Sequence, residues 1–244
     1  LGEHSARYAE VGESFSEEGF HFVGFDLRGH GLSEGEPGHS SKFTDLINDV
    51  ERLICQSTKH FGFSRDRRIL YGQGIGGNLA LNYLLKRKPH ISGAIITSPI
   101  LNTPLTKTKF QRTWLHFITS IFPKMRFRNR IKAEDLSRDL AYVKAYQNDV
   151  YNHNKISARL ALDIHRNGKY AMTNIDKLDL PVLLMHGTSD RVTPASVSKS
   201  IAEKAGNMVN IILWENGYHE LHNDIPKELV IRKMINWLKK EIKS

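Results

Sequence analysis

Apolar positions along the chain fall into two alternating patterns. Short runs with buried-strand character recur at His21 to Asp26, Arg68 to Gly72, Gly93 to Ser98, Pro181 to Gly187 and Val209 to Glu215, each bounded by Gly, Pro, Asn or Asp. Between them, helical spacing predicts helices over Ser5 to Glu18, Phe43 to His60, Ile75 to Lys88, Pro194 to Ala205 and Pro226 to Ile242. In the last of these, Ile231, Met234, Ile235, Leu238 and Ile242 share one face, Pro226 stands near the start, and Lys239, Lys240 and Lys243 stand near the end, where the helix dipole favours cations. Strand alternating with helix predicts an α/β architecture, a mostly parallel sheet with helices on both faces.

Successive strands are separated by one crossover helix and its loops, except between Ser98 and Pro181. That interval is too long for a crossover and predicts an insertion over the carboxyl ends of the strands, where open parallel sheets bind ligands. The expected division is a core of residues 1–98 and 181–244 with an inserted cap or lid of residues 99–180. Within the cap, Phe110, Trp114, Phe117, Ile118, Ile121 and Phe122 lie on one helical face until Pro123 stops the helix. From Met125 to Lys132 the pattern alternates instead, with Arg126, Arg128, Arg130 and Lys132 on one side and Met125, Phe127 and Ile131 on the other.

Composition excludes several classes. With 40% hydrophobic and 9% aromatic residues over 244 positions, the chain can bury a core and is not disordered. It has no apolar run of about 18 residues, and its first residues resemble no signal peptide, so the expectation is a soluble chain. A single cysteine, Cys55, forms no internal disulfide and no zinc-ribbon pattern, which predicts a reducing, cytoplasmic location. The net charge of +9 is local. Eight bases (Lys107, Lys109, Arg112, Lys124, Arg126, Arg128, Arg130 and Lys132) and no acid lie between Leu101 and Ala133, leaving 27 bases against 26 acids elsewhere. One surface facing an anionic partner follows; nucleic acid is disfavoured because no groove-reading module accompanies the charge.

The chemistry gathers around Gly72-Gln73-Gly74-Ile75-Gly76-Gly77, a turn from predicted strand to predicted helix. A phosphate-binding glycine loop is the first alternative, but the turn lies well inside the sheet and no P-loop Lys-Ser/Thr follows. The spacing fits a nucleophile elbow, whose apex should be Ser; here it is Gly74. The acid and base of a triad should then follow at later strand ends, in that order. Asp190 follows the strand that starts at Pro181, and His219 follows the strand that starts at Val209. Alone, Asp190 reads as a turn or N-cap residue and His219 as a surface-loop histidine. Together, in order and at strand ends, they read as the orienting acid and the general base.

These residues, with His186-Gly187-x-x-Asp190-x-Val192-Thr193, His219-Glu220-Leu221-His222-Asn223, Phe25-Asp26-Leu27-Arg28-Gly29-His30-Gly31 and Gly2-Glu3-His4-Ser5-x-Arg7-Tyr8, resemble the α/β-hydrolase family of monoacylglycerol lipases and bacterial lysophospholipases, the serine aminopeptidase S33-type hydrolases. The stretches Leu136-Ser137-Arg138-Asp139 and Ile156-Ser157-Ala158-Arg159 resemble the bacterial branch, so the resemblance runs over nearly the whole chain. It implies a carboxylic ester hydrolase acting on long-chain acyl esters, monoacylglycerol or lysophospholipid, with no metal and no organic cofactor. It further implies backbone N–H groups of Leu1 and Ile75 as the oxyanion hole, and Glu3, Arg7 and His222 at the alcohol-binding end. For Arg7, a salt bridge tying down the first helix is an equal reading. His30, His186 and Asp26 fall to loop architecture.

Two departures stand out. The family has Ser where this chain has Gly74, which closes the covalent route and leaves either an inactive hydrolase or a non-catalytic lipid-binding relative. The family also carries upstream strands ending in His-Gly just before the position of Leu1, so segments ahead of Leu1 are expected. The basic, apolar cap surface is either packed core or a peripheral contact with anionic membrane.

Overall fold

A computed structural model describes residues 1–102, 119 and 121–242. Four strands form a parallel sheet: β1 (Ile69–Gln73), β2 (Gly93–Thr97), β5 (Val182–Gly187) and β6 (Val209–Trp214), in the order β1-β2-β5-β6. Two short strands, β3 (Arg126–Arg128) and β4 (Lys155–Ser157), pair antiparallel as a separate ribbon. The helices are α1 (Ala9–Glu17), α2 (Phe43–Phe61), α3 (Ile75–Arg87), α4 (Leu140–Asn148), α5 (Ala158–Asn174), α6 (Ala195–Ala205) and α7 (Lys227–Glu241).

Alternation along the strands explains why both faces are covered. Ala94 and Ile96 of β2 and Val182 and Leu184 of β5 face a cluster with Leu81 and Leu84 of α3, Ala171 of α5 and Ile201 of α6. The intervening Ile95, Leu183 and Met185 face Val11 and Phe15 of α1 and Val230, Ile231 and Met234 of α7. Strands buried on both sides read as continuous apolar runs, as these do in the sequence.

One expectation is corrected. His21 to Asp26 forms no strand. A strand exists only through its ladder, and here residues from Phe20 to Leu27 and residues of β1 line one cavity of about 720 Å³ instead of pairing. Part of the interval 99–180, expected as the cap, packs on the core helices. Helix α5 lies inside it, yet Leu160 and Ile164 pack in one cluster with Phe43 of α2 and Leu79 of α3, and Ala171 packs in the main core. The face Phe110, Trp114, Phe117 and Ile118, with Lys107, Lys109 and Arg112, lies outside the described residues. Ile121, Phe122, Met125 and Phe127 are exposed beside Arg126 and Arg128, and β3 is exposed along both faces.

Candidate active site

The turn from β1 into α3 places Gly74 at the carboxyl end of the strand with φ +56 and ψ −112, a conformation that side-chain-bearing residues rarely adopt. It is held by hydrogen bonds on both sides: Gly74 N–H donates to Thr97 O at 3.0 Å, and Gly74 O accepts from Ile100 N–H at 2.9 Å and Asn78 N–H at 3.2 Å. Neighbouring glycines serve different needs. A Cβ on Gly72 would collide with the Gly76 carbonyl, and one on Gly77 would stand 3.0 Å from Ile96 and Pro99, so both permit the helix to lie close to the strands. Gly76 has open space where its Cβ would be, so only its carbonyl matters to the packing.

Asp190 and His219 arrive from the carboxyl ends of β5 and β6. His219 Nδ1 lies 2.8 Å from Asp190 Oδ2, and both side chains are buried. Asp190 Oδ1 accepts the Val192 and Thr193 N–H groups at 2.7 and 2.9 Å, and Oδ2 accepts the Thr193 hydroxyl at 2.8 Å. His186 Nε2, 3.0 Å from Oδ2, completes the cradle, while its Nδ1 accepts from Ser198 Oγ at 2.7 Å. Burial works against ionisation of Asp190, but the adjacent His219 imidazole and the hydrogen bonds from His186, His219 and Thr193 outweigh it and hold the carboxyl well below the usual carboxylate range. An ionised Asp190 takes the Nδ1 proton of His219 as a donor, leaving the Nε2 lone pair free to act as a base.

That Nε2 points at position 74. A Cβ built on Gly74 would lie 3.4 Å from His219 Nε2 and 3.8 Å from Ile100 Cδ1, ordinary contact distances. Ile75 is the first residue of α3, so its N–H has no helical acceptor and sits at the positive end of the helix dipole. Leu1 packs in the same apolar cluster as Ile75 and Ile100. Among the described residues, no three His, Cys, Asp or Glu side chains converge as a metal site.

The loop carrying His219 is braced by residues that sequence reasoning did not single out. Gln73 Nε2 donates to His219 O at 3.3 Å, and Thr97 Oγ1 donates to Gln73 Oε1 at 2.8 Å. Asp224, fully buried, accepts Arg138 Nη2 at 2.8 Å, Arg138 Nε at 3.0 Å and the Tyr218 N–H at 3.0 Å. Ser137 Oγ donates to Asn223 O at 2.7 Å, and Glu220 accepts from Tyr142 and from Asn223. The Leu136-Ser137-Arg138-Asp139 stretch thus clasps the His219 loop and then starts α4, Asp139 capping its first turn by accepting from Ala141 N–H at 2.9 Å.

Glu3, Arg7 and His222 are brought into one buried polar cluster. Arg7 Nε lies 3.8 Å from Glu3 Oε2, and its guanidinium stacks over Tyr142 and Tyr146 at 4.8 and 4.5 Å. Tyr8 donates to Glu3 Oε1 at 3.1 Å and stacks on His222 at 4.8 Å. His222 Nδ1 lies 3.2 Å from the Tyr71 hydroxyl, and burial pushes its pKa down to about 4. One polar atom on each of the three residues, Glu3 Oε2, Arg7 Nε and His222 Nε2, is buried without a hydrogen-bond partner. His30 and Asp26 hold the loop after Asp26: His30 Nδ1 lies 3.1 Å from Arg28 O, and Asp26 accepts the Ser5 and Leu32 N–H groups.

A parallel sheet with a glycine elbow, an acid and a histidine at the carboxyl ends of β1, β5 and β6 is an α/β-hydrolase. The chain belongs to the serine aminopeptidase S33 family (Hydrolase_4), whose pattern matches residues 1–226. It is 33% identical over 251 residues to an uncharacterized abhydrolase domain-containing protein of Dictyostelium discoideum, covering all of this chain but only 26% of that protein. It is 25% identical over 239 residues to the monoacylglycerol lipase of Mycolicibacterium smegmatis, covering 97% of this chain and 84% of the lipase. The crystal structure of Paleococcus ferrophilus monoacylglycerol lipase superposes with a TM-score of 0.88 at 29% identity, over 99% of this chain and 91% of that one.

Proposed function

We propose that the site is the machinery of a carboxylic ester hydrolase for long-chain acyl esters, monoacylglycerol or lysophospholipid, assembled except for its nucleophile. The observation that carries this reading is His219 Nε2, oriented through Nδ1 by Asp190 and aimed at the point where a side chain on residue 74 would begin. In the parent chemistry a Ser at that position attacks the ester carbonyl. His219 takes its proton and passes it to the leaving alcohol, Asp190 steadies the imidazolium, and the Ile75 and Leu1 N–H groups receive the oxyanion. Water then releases the acid from the acyl-enzyme. With Gly74 that covalent route is closed.

The unpartnered atoms of Glu3, Arg7 and His222 support a polyol end to the substrate, since buried polar groups are ordinarily satisfied and hydroxyls of a glycerol would supply donors and acceptors. The exposed Ile121, Phe122, Met125 and Phe127 beside Arg126, Arg128 and Arg130 support a peripheral contact with anionic membrane. The second reading, a non-catalytic lipid-binding protein, is favoured by Gly74 itself. The test is the Gly74→Ser variant assayed on a monoacylglycerol and on the methyl ester of the same acid. Turnover with preference for the glycerol ester is expected. An inert variant that copurifies with and retains long-chain lipid would support the binding reading instead.

A further inference from the structure

We infer that the chain as it stands hydrolyses activated carboxylic esters by direct attack of water, His219 acting as general base in the place where the side chain of residue 74 would otherwise act. The inference rests on the ester-hydrolase reading of the site and specifies what Gly74 makes of it.

Three features carry it. His219 is locked for base duty independently of residue 74: Nδ1 is held by Asp190 at 2.8 Å, Asp190 is fixed by Val192, Thr193 and His186, and the loop is tied to β1 through Gln73. Among the described residues, Nε2 has no hydrogen-bond partner that would divert its lone pair. The space in front of it is the volume of a serine side chain: the Cβ point lies 3.4 Å from Nε2, with Ile100 Cδ1 and Cγ1 at 3.8 and 3.9 Å as an apolar wall. A water occupies about 30 Å³ in the liquid, close to the volume of a hydroxymethyl group, and one donating to Nε2 at about 2.8 Å falls within that volume. Its oxygen then stands near where a serine oxygen would stand, facing an acyl carbon whose carbonyl oxygen points at the N–H groups that open α3.

The step balances without a further reactant. A lone pair of the water oxygen forms the bond to the acyl carbon, the water proton passes to His219 Nε2, and the carbonyl π pair moves onto the oxygen held by the Ile75 N–H. The intermediate collapses as the carbon to alkoxy-oxygen bond breaks, and the Nε2 proton goes to the departing oxygen. Ester and water become acid and alcohol, and His219 returns to its neutral form. General-base assistance of this kind contributes roughly 10²–10⁴-fold, far short of the up to about 10⁶-fold that a triad nucleophile supplies. A leaving group that departs readily, such as an aryl alcohol, suits the water route best.

The test compares the unaltered protein, His219→Ala, His219→Gln and Gly74→Ser, purified alike and matched for folding by circular dichroism, on p-nitrophenyl butyrate before and after treatment with a fluorophosphonate. The unaltered protein should turn over slowly, without a burst and with no loss after fluorophosphonate. Both His219 variants should fall by roughly 10²–10⁴-fold. Gly74→Ser should be faster, show a burst and be silenced by the reagent. Equal rates for the unaltered protein and the His219 variants, with Gly74→Ser active, overturn the water route alone. Fluorophosphonate loss in the unaltered protein overturns it too, since it marks a contaminating serine enzyme. If Gly74→Ser is also inert, the ester-hydrolase reading fails with it.

Discussion

Replacing Gly74 should destabilise the protein even as Ser supplies the missing chemistry. At φ +56 and ψ −112, glycine is unstrained, whereas a residue with a Cβ carries about 1–3 kcal/mol of backbone strain. Steric crowding adds nothing, because the nearest atom to the new Cβ is 3.4 Å away. The lower entropy of the unfolded chain returns about 0.4–1 kcal/mol, leaving a net cost of roughly 1–2 kcal/mol for Gly74→Ala and Gly74→Ser alike. In a domain of this size that is a Tm decrease of about 2–8 °C. Gly76→Ala is the internal control: it sits in the first turn of α3, has open space at its Cβ and no positive φ, and should stabilise by about 0.5–1 kcal/mol. Urea and thermal unfolding of the three variants give the comparison. If Gly74→Ala is as stable as the parent or more so, the elbow is not strained and the placement of residue 74 as a held nucleophile position is wrong.

Acid stability should depend on His222. Its pKa is pushed from 6.5 to about 4 by burial, so between those pH values the unfolded chain binds a proton that the folded chain does not. Stability therefore falls by about 3 kcal/mol as the pH drops from 6.5 to 4, and the unfolding free energy of His222→Gln from urea titration should fall by about that much less over the same range; parallel curves would refute the buried, neutral imidazole. His30 is pushed down to about 4 by burial as well and should leave a residual acid slope in that variant. Arg138→Ala strips the fully buried Asp224 of its partner and should cost about 2–3 kcal/mol, below the cost for a fully buried pair because Arg138 is 26% exposed; denaturant titration measures it, and a loss under 1 kcal/mol would deny the clasp on the His219 loop. Reversing Arg126, Arg128, Arg130 and Lys132 to Glu should lower partitioning onto anionic vesicles at least a thousand-fold or so, at about 1 kcal/mol per base, and salt should weaken binding of the unaltered protein. Equal cosedimentation with neutral and anionic vesicles would remove the membrane contact.

The order of elements could be read from apolar spacing because β2 and β5 are buried on both faces, while helices such as α2 and α7 bury one apolar face. Ala94–Ile96 and Val182–Met185 are uninterrupted apolar runs for that reason. The candidate site was legible for a related reason: Gly74, Asp190 and His219 lie beyond strand ends, so turn residues mark all three. His21 to Asp26 has the composition of a strand but no paired neighbour, and pairing is not a property of its own residues. Helix α5 carries the same amphipathic signature whether it packs on α3 or over the site, so its apolar spacing does not say which neighbour it meets. The brace of Gln73, Arg138, Glu220 and Asp224 joins residues 78 to 146 positions apart through polar side chains, and such long-range pairings leave no periodic trace.

On the reading proposed above, this chain holds a serine-hydrolase site lacking only its nucleophile. Mass spectrometry of the Gly74→Ser protein after fluorophosphonate treatment tests it most directly. A single stoichiometric adduct, mapped to residue 74, is expected, absent from the unaltered protein and lost when His219→Ala is added. No adduct in a folded Gly74→Ser protein, or one that forms as fast without His219, would contradict it.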